Sequence, residues 1–167
     1  MKRKLSEQEI KKIWDFYYDF SANPMLFPLS HIHQHRSTNT YNHVRKVTKL
    51  ALEHAIKHNL DIDYYSLIRG GLLHDYYFED WREHKIKVFS HGFTHPKKAL
   101  NNASKEIELN KIEKDIIRNH MWPLTLFHFP KTKEGRLISR VDKYVASKEM
   151  FQKRSKSKMN NDNQINL

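Results

Sequence analysis

Asp142 falls in the middle of an apolar helical face, with Ile138 four residues before it and Val145 three after, so one helix carries all three toward the same interior. An ionised carboxylate in such a place is costly unless it is paired with Lys or Arg, accepts several hydrogen bonds, or coordinates a metal. The pattern recurs. His43 shares a face with Val47 and Leu50, His120 follows Ile116 by one turn, and His74 and Asp75 directly follow Leu72 and Leu73. Four separate helical segments therefore deliver imidazole or carboxylate inward, and a fold that satisfies them must bring them together.

The apolar spacing predicts an all-α, compact helical bundle, with no persistent two-residue alternation of the kind a sheet requires. Residues 6–20 place Ile10, Ile13, Trp14, Tyr17 and Tyr18 three and four apart behind a Ser6/Glu9 capping box, with Trp14, Tyr17 and Tyr18 expected as core anchors. The segment 23–39, with Pro24, Pro28 and many His, Ser, Thr and Asn, is expected to be mainly irregular. Helices follow over 40–58 and 64–75, the latter carrying Gly70 and Gly71, which point to close backbone packing or to room for a bound group. Residues 76–92 read as a loop or a short irregular helix. Thr94 is the expected cap of a helix from His95 and Pro96 that Ile107, Ile112, Ile116 and Ile117 carry toward His120, with Pro123 ending it. The last helix is expected over 136–151. The domain thus spans 1–150, N-terminal helix included, and 151–167 forms a basic flexible tail.

With 167 residues the chain is long enough for one domain and short for two. Its formal charge of +11 favours anionic partners, whether a nucleotide, a nucleic-acid strand or a lipid headgroup. The absence of cysteine excludes disulfides, thiolate ligands and cysteine nucleophiles. The first residues, MKRKLSEQEIKKIW, pass directly into a charged amphipathic pattern and show no signal peptide. No apolar stretch approaches the roughly 20 residues of a membrane span. A soluble cytoplasmic protein without a membrane role is the expectation.

Imidazole and carboxylate suit Zn, Mn, Fe, Co or Ni. His43 in TYNHVRKV, His74 and Asp75 in GLLHDYYFEDW, and Asp142 in ISRVDKY resemble the ordered ligand pattern of the HD superfamily of metal-dependent phosphohydrolases. The resemblance covers residues 31–150. It implies a compact helical domain in which these four side chains hold a divalent metal, Mn or Fe first, with Zn, Co, Ni or Mg as further options. His95 in HPKKAL and His120 in IIRNHMWPL resemble the extra ligands of two-metal branches, where Asp75 bridges the ions. MWPL follows His120 in place of the GYP element of the cyclic-dinucleotide branch, so that specificity does not carry over. The chain is also shorter than the alarmone hydrolases and lacks their surrounding signatures.

On this reading a phosphate ester of a nucleotide or another small phosphorylated metabolite is hydrolysed, with Asp75 at the centre and Glu79 or Asp80 orienting water or moving a proton. Arg36, Lys46, Arg82, Lys85 and Lys143 are the cationic candidates for phosphate oxygens. His91 is a candidate for metal or substrate contact, and His35 with Arg36 for a phosphate-facing entrance; the run His31, His33 and His35 also reads as a separate metal tract or an exposed loop. Trp122 packs either into the core or onto substrate. Two other functional classes stay open: a noncatalytic nucleic-acid-binding or regulatory module, and a two-iron oxygenase acting on an organophosphonate. Homodimerisation stays open, since an apolar helical face is satisfied either within one chain or across an interface.

Overall fold

Helix α1 (Glu7–Ser21) starts where the capping box places it: Glu9 N–H donates to Ser6 Oγ at 3.2 Å, and Ser6 N–H donates to Glu9 Oε2 at 2.9 Å. Its inward face holds Ile13 and Tyr17, four residues apart. Tyr17 is 2% exposed and its hydroxyl donates to the Arg45 carbonyl at 3.0 Å. Tyr18, expected beside it in the core, is instead exposed and stacks on Trp14. The computed structural model describes residues 4–35, 38–78 and 88–162.

The stretch expected to be irregular contains a 3-10 helix, Pro24–His31, and an antiparallel pair of short strands, β1 (His33–His35) and β2 (Thr38–Asn39). Three residues per turn put Leu26 and Leu29 on one line, and both are fully buried. That apolar pair overrides the prolines and polar residues that suggested a loop. Asn39 then caps α2 (Thr40–Lys57), its Oδ1 accepting from Asn42 N–H at 2.8 Å.

Helix α3 (Tyr64–Leu73) is the central element and packs against α1, α2, α5 (Lys111–Asn119) and α6 (Lys133–Asp162). Its two glycines permit this. A Cβ on Gly70 would lie 2.6 Å from Ile116 Cδ1 and 3.3 Å from the Glu113 Cα, and one on Gly71 would lie 2.7 Å from Thr48 Oγ1 and 3.0 Å from Ile138 Cδ1. Close packing, rather than space for a ligand, is what these glycines provide. Leu67, Ile68, Leu72 and Leu73 fill the surrounding core.

Three helix boundaries differ from the sequence expectation. Helix α4 (Val88–Glu106) begins well before Thr94, so Thr94 is an interior residue and not a cap, and the helix passes through Pro96 with one fewer backbone donor. The expected run from His95 to His120 breaks after Glu106. Asn110 caps α5 reciprocally with Glu113, each side chain accepting from the other's backbone N–H at 2.9 Å. The last helix starts at Lys133, where Thr132 Oγ1 accepts from Gly135 N–H at 2.9 Å, and its backbone continues to Asp162. That lies past the 150/151 boundary, through Lys, Arg and Met residues that favour a helix. No helix among the described residues is long and apolar enough to cross a membrane.

Candidate metal centre

His74 is the C-terminal cap of α3, and Asp75 follows in the turn. A helix end leaves carbonyls without backbone partners. The Gly71 carbonyl accepts from His74 Nδ1 at 2.6 Å, which fixes the tautomer and leaves Nε2 with its lone pair facing inward. The C-terminal cap of α5 repeats this arrangement: His120 Nδ1 donates to the Ile117 carbonyl at 2.9 Å. His43 sits in the first turn of α2 and is oriented from behind by a carboxylate, its Nδ1 standing 3.4 Å from Glu149 Oε2. Asp142 faces it from α6, with Oδ1 3.0 Å from His43 Nε2.

The six side chains form two trios, His43–His74–Asp142 and Asp75–His95–His120, all buried. Within each trio the donor atoms lie within 4.8 Å of one another. Asp75 stands between them. Its Oδ1 is 3.2 Å from His95 Nε2 and 3.3 Å from His120 Nε2, while its Oδ2 is 3.7 Å from His74 Nε2 in the first trio.

Burial opposes the imidazolium of His43, but its hydrogen bonds to Asp142 and Glu149 outweigh this and raise its pKa to about 10. For His74 burial prevails and lowers the pKa to about 4. Burial also opposes ionisation of Asp75, yet the field of His74 and the hydrogen bonds to His120 and His95 hold its carboxyl well below the usual range. Asp142 is likewise lowered, by His43 above all, against the effect of burial. The centre thus holds ionised carboxylates beside a neutral His74, whose Nε2 lone pair faces inward, and a His43 imidazolium paired with Asp142 and Glu149.

These groups fit a divalent cation. His74 Nε2 is a buried nitrogen with no hydrogen-bond partner, and at 3.7 Å from Asp75 Oδ2 and 3.9 Å from Asp142 Oδ1 it is too far for either to serve as one. Donors about 2.1 Å from a common ion stand about 3–4 Å from each other, the spacing found here. Each trio offers two imidazoles and one carboxylate, a set that leaves coordination positions for water or substrate.

The predicted residues divide accordingly. His43, His74, Asp75, His95, His120 and Asp142 are brought together. Lys143, expected to face phosphate, is instead committed to the fold: its Nζ donates to the His120 carbonyl at 2.8 Å and to Ser139 O and Oγ at 3.0 and 2.9 Å, which uses all three of its protons. Burial lowers its pKa, and Asp142 opposes that shift. Lys46 donates to Glu149 Oε1 at 3.2 Å, behind His43. Trp122 is 37% exposed and meets Phe129 edge to face, so it is not a core residue. His31 ends the 3-10 helix, exposed. Arg36, Glu79, Asp80, Arg82 and Lys85 lie outside the described residues, as do the side chains of His33, His35 and His91.

Glu149 is the functional neighbour that the sequence reading missed. The signal was present, because Ile138, Asp142, Val145 and Glu149 continue one stripe at intervals of four, three and four. The chain matches no protein-family model, no curated protein and no solved structure, so the assignment of this centre rests on its own geometry and chemistry.

Proposed function

We propose that the chain is a metal-dependent phosphohydrolase of the HD type, acting on a phosphate ester in a nucleotide or another small, anionic phosphorylated metabolite. The observation that carries this reading is the placement of Asp75 between two buried trios of like composition, one oxygen turned to each. His43, His74 and Asp142 would hold one ion, and His95 and His120 a second, with Asp75 shared. Divalent ions so held, Mn or Fe foremost, supply Lewis acidity toward a phosphoryl oxygen and lower the pKa of water into the neutral range.

The chain's own groups do the rest. The Gly71 and Ile117 carbonyls hold His74 and His120 with Nε2 inward, and Glu149 does the same for His43. Lys143 ties α6 to the His120 carbonyl and so fixes Asp142 relative to the second trio. The near-complete burial of the six donors keeps bulk water from competing for them. The +11 balance of the chain draws anionic substrates to it.

Asp142→Ala is the direct test. After anaerobic purification and reconstitution with Mn or Fe, elemental analysis should find two ions per wild-type chain and at most one in the variant. Phosphate release from a panel of nucleotides and sugar phosphates should vanish with the lost ion. Full metal content and turnover in a folded Asp142→Ala protein would refute the proposal. Oxygen consumption coupled to carbon–phosphorus cleavage, without ester hydrolysis, would transfer the centre to the two-iron oxygenase class.

A further inference from the structure

The chain between α5 and α6 leaves large apolar side chains in solvent. Trp122, Leu124, Leu126, Phe127 and Phe129 are all exposed, Leu126 by 72% and Phe127 by 96%. Each forgoes the stabilisation that burial of such a side chain brings, and a cluster of them on one loop marks a contact surface.

The loop is held in that shape. Trp122 N–H donates to the Asn119 carbonyl at 3.2 Å, Leu124 N–H to the Met121 carbonyl at 2.9 Å and His128 N–H to the Thr125 carbonyl at 2.9 Å, so successive turns bury Thr125 and leave its neighbours outside. Ser139 Oγ donates to the Trp122 carbonyl at 3.0 Å, which fixes the start of the loop to α6. The Asp115 carboxylate accepts from the N–H groups of Lys131 and Thr132, at 3.0 and 2.9 Å, and fixes its end to α5. The Trp122 and Phe129 rings meet edge to face at 5.0 Å.

The base of the loop is basic. Lys131 and Arg136 are exposed and Arg118 is half-buried. Arg136 Nη1 donates to the Pro130 and Lys131 carbonyls, and Arg118 Nη2 stands 3.1 Å from His128 Nε2, so neither guanidinium is spent on a carboxylate. The acids at this end are engaged: Asp115 by the loop's own amides, Asp61 by Lys133, and buried Glu134 by Asp63 N–H.

We propose that this loop docks the chain on an anionic phospholipid surface, with Leu126 and Phe127 entering the headgroup boundary and Lys131 and Arg136 facing lipid phosphates, independently of what the metal centre does. The tip offers on the order of 500 Å² of apolar surface, short of the roughly 800 Å² that each partner gives to a standard protein interface. A bilayer needs only a few inserted side chains and a basic rim. Such docking needs no spanning segment, whose lack underlies the expectation of no membrane role.

The full-length chain is sedimented with vesicles of phosphatidylcholine alone and of an equal mixture of phosphatidylcholine and phosphatidylglycerol. Wild type should bind the mixed vesicles and bind the neutral ones far more weakly. A Leu126→Ser/Phe127→Ser double variant, which keeps every charge, should lose about tenfold or more in partitioning, and Lys131→Gln about fivefold. Lys12→Gln, which removes an exposed charge on α1, should lose less than about twofold. An unchanged Tm is expected in all three, because the substituted side chains are exposed. Equal binding by the double variant and wild type would overturn the proposal and leave net charge as the sole attraction. Absence of binding to the mixed vesicles would overturn it too, and a dimer that the double variant dissolves would then give this face to a second copy of the chain.

Discussion

The two trios have the same donors, two imidazoles and one carboxylate, yet they are assembled differently. In the first, His43 and Asp142 project from the interior faces of helices α2 and α6, and a second carboxylate, Glu149, holds His43 from behind. In the second, Asp75 and His120 sit just past helix ends, and the orienting group for His120 is a main-chain carbonyl. The first trio is therefore a charge pair before any ion arrives. The second depends on where helices stop. His74 shares with His120 the helix-end placement and the orienting carbonyl, so what sets the first trio apart is the Asp142–His43–Glu149 chain, and substitutions there should separate the two.

The largest effect should come from the residue that belongs to both. Asp75→Ala should empty both positions and reduce turnover by about a thousandfold or more, the scale of lost electrostatic stabilisation in an active site, whereas His95→Ala should release only one ion per chain. Metal analysis on the two variants checks this, and an Asp75→Ala protein with one tightly held ion would show the trios to be independent.

Glu149→Gln should act on the first trio alone. Loss of an outer carboxylate behind a ligating histidine typically costs about 10- to 100-fold in metal affinity, so one ion should weaken while the other stays. There is no equivalent substitution behind His120, because its partner is a carbonyl of the backbone.

Loading of the first trio should also be coupled to pH. His43, with its pKa raised to about 10 by Asp142 and Glu149 against the effect of burial, carries a proton at pH 7 to 9 that a metal must displace, whereas His74, near 4, does not. Higher pH therefore favours binding, and about one proton should leave per ion at this trio. Calorimetric titration in buffers of different ionisation enthalpy measures the release, and Glu149→Gln should diminish it.

The smallest expected effect lies at the break before α5. Asn110→Ala removes the cap that starts this helix and should cost about 1 kcal/mol of stability, read as a lowered Tm. It should loosen the second ion before the first.

That break also shows why the site was only partly legible. His95 and His120 are 25 residues apart, and on one continuous helix they would stand about 37 Å from each other. Their Nε2 atoms are 3.0 Å apart because the chain turns between Glu106 and Asn110. The Asn110–Glu113 box marked that turn, but the isoleucines on either side of it kept the helical period running across it. Lys143 failed for a related reason: its charge suggested phosphate, while the acceptors that claim it, the His120 carbonyl and Ser139, are set by how α5 meets α6. Glu149, by contrast, lay on a stripe already recognised.

The sequence alone determined that the chain is helical and that imidazoles and carboxylates must enter its interior. Both follow from local periodicity, because residues three and four apart share a face whatever surrounds them. Tertiary structure decided that six of these groups form two adjoining trios with Asp75 between them, and which lysine was diverted into packing. Those outcomes depend on helix ends, on the close approach that Gly70 and Gly71 allow, and on carbonyls contributed by other parts of the chain. No local pattern carries that information, since each distance is fixed by elements remote in sequence.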